Sequence, residues 1–105
     1  MKPLSLAVVG FGRVGKLCAE FLLESQDLAL AAVVRRLDSL SHALPDAFSK
    51  IPVVSHATQV QTVEAALLCV PLPQVLDAAH ECLQHRIPII ESSVLHGEAF
   101  LVHRE

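Results

Sequence analysis

The apolar positions of this chain change period as they run, and each change marks an element. Leu4 to Val9 is a short, nearly continuous apolar run that stops at Gly10, the pattern of a strand buried on both faces within a parallel sheet. From Val14 the period becomes helical. Val14, Leu17, Cys18 and Phe21 recur at three- and four-residue steps, with Lys16, Glu20 and Glu24 elsewhere around the wheel, which predicts an amphipathic helix with that apolar stripe. Ser25-Gln26-Asp27 breaks it. Leu28 to Val34 is again apolar, rich in small and β-branched residues, and ends abruptly at Arg35-Arg36, predicting a second strand.

Residues 37 to 50 carry Asp38, Ser39, Ser41, Pro45 and Asp46, a polar connection with room for one or two helical turns. Ile51 to Ser55 predicts a short third strand, Thr58 to Val63 a brief helical or turn segment, and Ala65 to Val70 a buried fourth strand. Pro71 and Pro73 then open a helix, because the first helical turn loses no hydrogen bond to a missing N–H. Val75, Leu76, Ala79, Cys82 and Leu83 form its inner stripe. Ile87 to Ile90 is a fifth strand, with Glu91-Ser92-Ser93 at its carboxyl end and the start of a helical pattern from Gly97 to Glu105. Strand alternating with helix predicts an α/β fold of three layers, a doubly wound parallel sheet of Rossmann type with strand order 3-2-1-4-5.

Composition narrows this further. The 105 residues suffice for one core and one domain, residues 1–105. Apolar residues make up 52% and charged ones 18%, high for so small a body, so either the sheet is buried on both faces or a surface meets another domain or subunit. A net charge of −3 without Trp or Tyr supplies neither the field nor the stacking platforms of a nucleic-acid binder. Cys18, Cys69 and Cys82 form no C-x-x-C pair and the histidines no H-x-x-x-H, so no disulfide framework and no metal site is expected. A reducing cytoplasm fits the cysteines. With no signal-peptide core and no run near the ~20 residues of a membrane span, a soluble protein is expected.

The informative segment is Gly10-Phe11-Gly12-Arg13-Val14-Gly15, a G-x-G-x-x-G between a predicted strand and a predicted helix. In a dinucleotide-binding turn the first glycine permits the tight bend, the second lets a pyrophosphate approach the backbone, and the third lets the helix pack closely on the sheet. The helix amino terminus then faces the anion. The second strand ends in an acid where NAD is bound through its ribose hydroxyls, and here that place holds Arg35 and Arg36. Guanidinium groups pair with a 2′-phosphate through charge-assisted hydrogen bonds, and one can stack on adenine. NADP(H) is the expected coenzyme, ahead of NAD(H), flavin adenine dinucleotide and S-adenosylmethionine.

Cys69, Val70 and Pro71 follow the fourth strand, beside the crevice where strand order reverses, and are expected to flank the nicotinamide. Glu91 is either a substrate-facing acid or a plain surface one, and His96 either a substrate contact or a solvated loop residue. No residue is assigned a catalytic role.

The run Val8 to Gly15, the arginine pair, Leu68-Cys69, and Glu91-Ser92-Ser93 with His96 together resemble the amino-terminal domain of the meso-diaminopimelate dehydrogenase family. The likeness covers nearly the whole chain. Its glycine turn and strands are shared with the wider group of homoserine, dihydrodipicolinate reductase and glucose-fructose type oxidoreductases. The resemblance implies NADP-dependent oxidative deamination at a D-configured amino-acid centre, in a homodimeric enzyme of lysine and cell-wall biosynthesis. It also implies a substrate and dimerisation domain absent from these residues, without which the chain turns nothing over. The competing expectation is a free-standing nucleotide-binding or sensing module without catalysis.

Overall fold

The apolar runs pair side by side in one sheet. In the computed structural model, which describes residues 2–40 and 44–91, the elements are β1 (Leu4–Val9), α1 (Arg13–Glu24), β2 (Leu28–Val34), β3 (Val53–Val54), β4 (Ala65–Leu68), α2 (Leu72–Gln84) and β5 (Ile89–Glu91). Short 3-10 turns lie at Leu37–Ser39, Asp46–Phe48 and Ala57–Gln59. Every strand pairing is parallel and the order is β3-β2-β1-β4-β5, the Rossmann arrangement that the alternation of periods predicts.

The continuous apolar character of β1 follows from its central place, where both faces are covered. Leu6 and Val8 pack with Ala19 and Leu22 of α1, while Ala7 and Val9 pack with Val75, Ala79 and Cys82 of α2. In β2 the partners step from Leu6↔Leu30 to Ala7↔Ala32, skipping Ala31. One extra residue reverses the alternation, so Leu30 and Val33 both face α1 whereas Ala32 and Val34 face α2.

The outer strands are shorter than their apolar runs. β3 keeps only Val53–Val54 of the expected Ile51 to Ser55, because the Ile51 N–H is used by Phe48 O in the preceding turn and Pro52 has no N–H to give. β5 begins at Ile89 rather than Ile87 for the same kind of reason: the Ile87 N–H donates to Cys82 O, and Pro88 follows.

That last bond belongs to a Schellman ending of α2. The Ile87 N–H reaches Cys82 O and the Arg86 N–H reaches Leu83 O, satisfying carbonyls that the helix end leaves open. The turn places Arg86 at φ 61, a left-handed conformation usually given to glycine. The other end of α2 behaves as expected, with Pro71 at the N-cap and a proline in the first turn.

Two of the expected inner stripes need correction. Val14, Leu17 and Phe21 of α1 are 52%, 63% and 66% exposed, and the helix instead buries Gly15, Ala19 and Leu22. The cause is close approach: a Cβ on Gly15 would run into the Gly10 carbonyl, so the helix turns the face of Gly15, Ala19 and Leu22 to the sheet and the Val14, Leu17 and Phe21 stripe outward. In α2, Leu76 is 58% exposed, while Val75, Ala79 and Cys82 are buried as expected. No helix among the described residues is long and apolar enough to cross a membrane.

Candidate functional site

At the carboxyl ends of β1, β2 and β4 the sheet opens into a crevice of about 890 Å³. It lies where β1 has β2 on one side and β4 on the other, the topological switch point at which open α/β sheets bind ligands.

One rim is the glycine turn. Gly10, Phe11, Gly12, Arg13 and Val14 line the crevice. Gly10 has φ +98 and its missing Cβ leaves room for the Cys69 carbonyl oxygen, which would otherwise lie at 2.7 Å. Gly15 sits beneath, packed on the Gly10 carbonyl. Gly12 differs from both: a Cβ there would meet nothing within 4 Å, so its bare backbone faces open space in the crevice. Gly12 is also the N-cap of α1, without a side-chain cap and with no acid in the first turn. The first N–H groups of a helix have no partner within it, and an anion is the group they favour.

A second wall is the tip of β2, where Arg35 and Arg36 both line the crevice with Ser39. Arg35 Cζ stands 5.7 Å from the centroid of the Phe11 ring, a cation over an aromatic face. Arg36 Nε is 3.6 Å from Asp38 Oδ1, with side chains 73% and 74% exposed. Exposed pairs of this kind contribute about 0.2–1 kcal/mol, so a phosphate can replace Asp38 as the partner of Arg36 at small cost.

Cys69, Val70 and Pro71 line the crevice at the end of β4, where the Cys69 N–H donates to Val9 O at 2.8 Å. Cys82, in the last turn of α2, is a core thiol. Burial first, and the neighbouring Glu81 charge second, push its pKa up to about 11.

The remaining wall was not anticipated. Gln74, Asp77, Ala78 and Glu81 of α2 line the crevice, with Ser55 beyond the end of β3. The α2 residues recur at i, i+3, i+4 and i+7, one helical face beside the buried one, and that spacing was the available signal. Glu81 is pinned: His56 Nδ1 lies 2.9 Å from each of its carboxylate oxygens. The crevice thus has a cationic wall at β2 and an anionic one on α2, able to hold a phosphate on the first and N–H donors on the second. At the β2 tip the strand runs into Arg35 and Arg36 rather than an acid, and the acid that follows, Asp38, pairs with Arg36.

Glu91 ends β5 in register with Leu68, which brings its backbone to the same edge of the sheet. Its side chain, and Ser92, Ser93, His96 and the stretch from Gly97 to Glu105, lie outside the described residues. No group of three or more metal-ligating side chains occurs among the described residues.

Fold and crevice together define an α/β domain of Rossmann type, open at its topological switch point. Along all of its 105 residues the chain is 31% identical to a meso-diaminopimelate D-dehydrogenase of Bacteroides fragilis, spanning 34% of that protein's length. The resemblance carried by the glycine turn and the arginine pair therefore extends over the whole chain. No family model matches it. In fold it resembles an NAD-binding protein from Listeria innocua, with a TM-score of 0.76 and 16% identity over 98% of this chain and 32% of that one. A scyllo-inositol dehydrogenase from Lactobacillus casei, solved with bound NAD(H) and scyllo-inositol, gives 0.68 and 19% over 86% of this chain and 28% of that one. A myo-inositol dehydrogenase from Corynebacterium glutamicum gives 0.69 and 17%, with coverage of 86% and 28%.

Proposed function

We propose that this chain is the coenzyme-binding domain of an NADP(H)-dependent oxidoreductase, an amino-acid dehydrogenase of the meso-diaminopimelate dehydrogenase type. The observation that carries this reading is the pairing of an open Gly12 with two arginines across one crevice. Gly10, Gly12 and the amino terminus of α1 seat the pyrophosphate. Arg35 and Arg36 hold the 2′-phosphate, and Cys69, Val70 and Pro71 flank the nicotinamide. The residues present fit such a group, since the Gly12 backbone leaves open the space a diphosphate needs and no acid occupies the first turn of α1.

The coenzyme itself supplies hydride transfer when bound, and this chain's part is to bind and orient it. The chain spans 34% of the dehydrogenase it matches, so substrate contacts and assembly into a homodimer belong to sequence outside these residues. Identity to the amino-acid dehydrogenase favours that substrate class over the polyols named for the two inositol dehydrogenases, where identity is 19% and 17%.

Titration calorimetry with NADPH and NADH tests the proposal. NADPH is expected to bind more tightly, and its advantage to shrink as salt rises. In Arg36→Ala it is expected to weaken by about ten-fold or more, from the loss of a hydrogen bond to a charged group of about 1.5–3 kcal/mol. Equal affinities for the two coenzymes would remove the phosphate assignment and leave only the dinucleotide turn.

A further inference from the structure

Arg35 and Arg36 are adjacent in sequence but are held in different ways. Arg36 is largely exposed and leans on an exposed carboxylate. Arg35 stands over the ring of Phe11, and Phe11 meets the ring of Phe48 edge-on, with centroids 5.3 Å apart and planes at 87°. Phe48 is 2% exposed. It is fixed within the 3-10 turn Asp46–Phe48 by a bond from its N–H to Pro45 O and another from the Ile51 N–H to its own carbonyl, each 2.9 Å. An ordered path thus runs from the core, through two rings, to one guanidinium at the lip of the crevice.

We propose that Phe11 and Phe48 are positioning residues for Arg35, and so set the preference of this site for a phosphorylated ribose over a bare one. The inference rests on the coenzyme reading above. An arginine side chain carries about 2 kcal/mol of rotamer entropy, which a ligand must otherwise overcome. A ring beneath the guanidinium limits that freedom before the ligand arrives, and an edge-to-face partner in the core limits the ring. Phe11 is also the residue between Gly10 and Gly12. The seat for the pyrophosphate and the support for the 2′-phosphate therefore share one residue, and the distance between the two anion sites is held by the same backbone.

The test is calorimetry of NADPH and NADH on Phe11→Leu, Phe11→Tyr and Phe48→Leu, with Arg35→Ala as reference. A second readout is the Arg35 Nε–H resonance of the unliganded protein, which the Phe11 ring current displaces. Phe11→Leu is expected to abolish that displacement and to weaken NADPH by about two- to five-fold, the span of an exposed cation–π contact of about 0.5–1 kcal/mol, with NADH little changed. Phe11→Tyr restores both. Phe48→Leu reproduces the NADPH loss in part, and its melting temperature separates core damage from positioning. Equal losses for both coenzymes in Phe11→Leu would mean that the ring only shapes the glycine turn, and no loss for either would mean that it supports nothing; each overturns the proposal. A wild-type protein that shows the ring-current displacement yet does not prefer NADPH would instead overturn the coenzyme reading, and this inference with it.

Discussion

The two helices of this domain have the same kind of sequence and end up differently. α2 closes its face of the sheet: Val75, Ala79 and Cys82 are buried beneath it, and its carboxyl end is tied off by two bonds into its own last turn. α1 covers its face with Gly15, Ala19 and Leu22 and leaves Val14, Leu17 and Phe21 outward. Both helices are amphipathic by period, yet in α1 the predicted stripe of Val14, Leu17 and Phe21 is not the buried face. What separates them is distance to the sheet. Where a glycine turn must bring backbone against backbone, the helix is drawn in on Gly15 and Ala19, Leu22 reaches the core further along, and Val14, Leu17 and Phe21 are left at the margin.

Substitutions can break that contrast or sharpen it. The largest effect is expected at Leu22, 3% exposed, where Leu22→Ala removes core contacts and leaves a cavity, for a loss of about 2–5 kcal/mol in urea unfolding. A midpoint unchanged from wild type would mean that α1 does not pack as described. Next, Arg86→Gly relieves the positive φ that closes α2 and is expected to stabilise by about 1 kcal/mol, raising the thermal midpoint; a fall would argue that the arginine side chain matters more than its backbone. Smallest is Leu17→Ser on the outward stripe of α1, 63% exposed, expected to change stability by about 0.5 kcal/mol or less. A loss as large as that at Leu22 would show the stripe to be covered.

Much of the architecture could be read from the chain because β1, β2 and β4 are apolar on both faces, a pattern with few other meanings. The bounds of β1 and β2 and the strand order emerge as expected. What escaped is of a different physical kind. The burial of α1 depends on a close approach that helical periodicity does not record, and the shortness of β3 and β5 on backbone N–H groups already committed elsewhere.

In the site, the glycine turn and the arginine pair were legible as parts of the crevice rim, since each is a local run just beyond the end of a strand. The α2 wall of Gln74, Asp77 and Glu81 is assembled from residues distant from the turn in sequence. Phe48, in a stretch that reads as polar connection, supplies a ring to the core. Neither could be placed before the fold brought them together.

The three glycines of the turn also differ in what their loss would mean. At positions 10 and 15 an added methyl group strikes the protein itself, so architecture alone is enough to demand glycine there. At position 12 it strikes nothing, and the folded chain is indifferent to it. Under the proposed coenzyme reading, an alanine at that place is expected to silence occupancy while sparing the scaffold, a control in which shape survives and cargo does not.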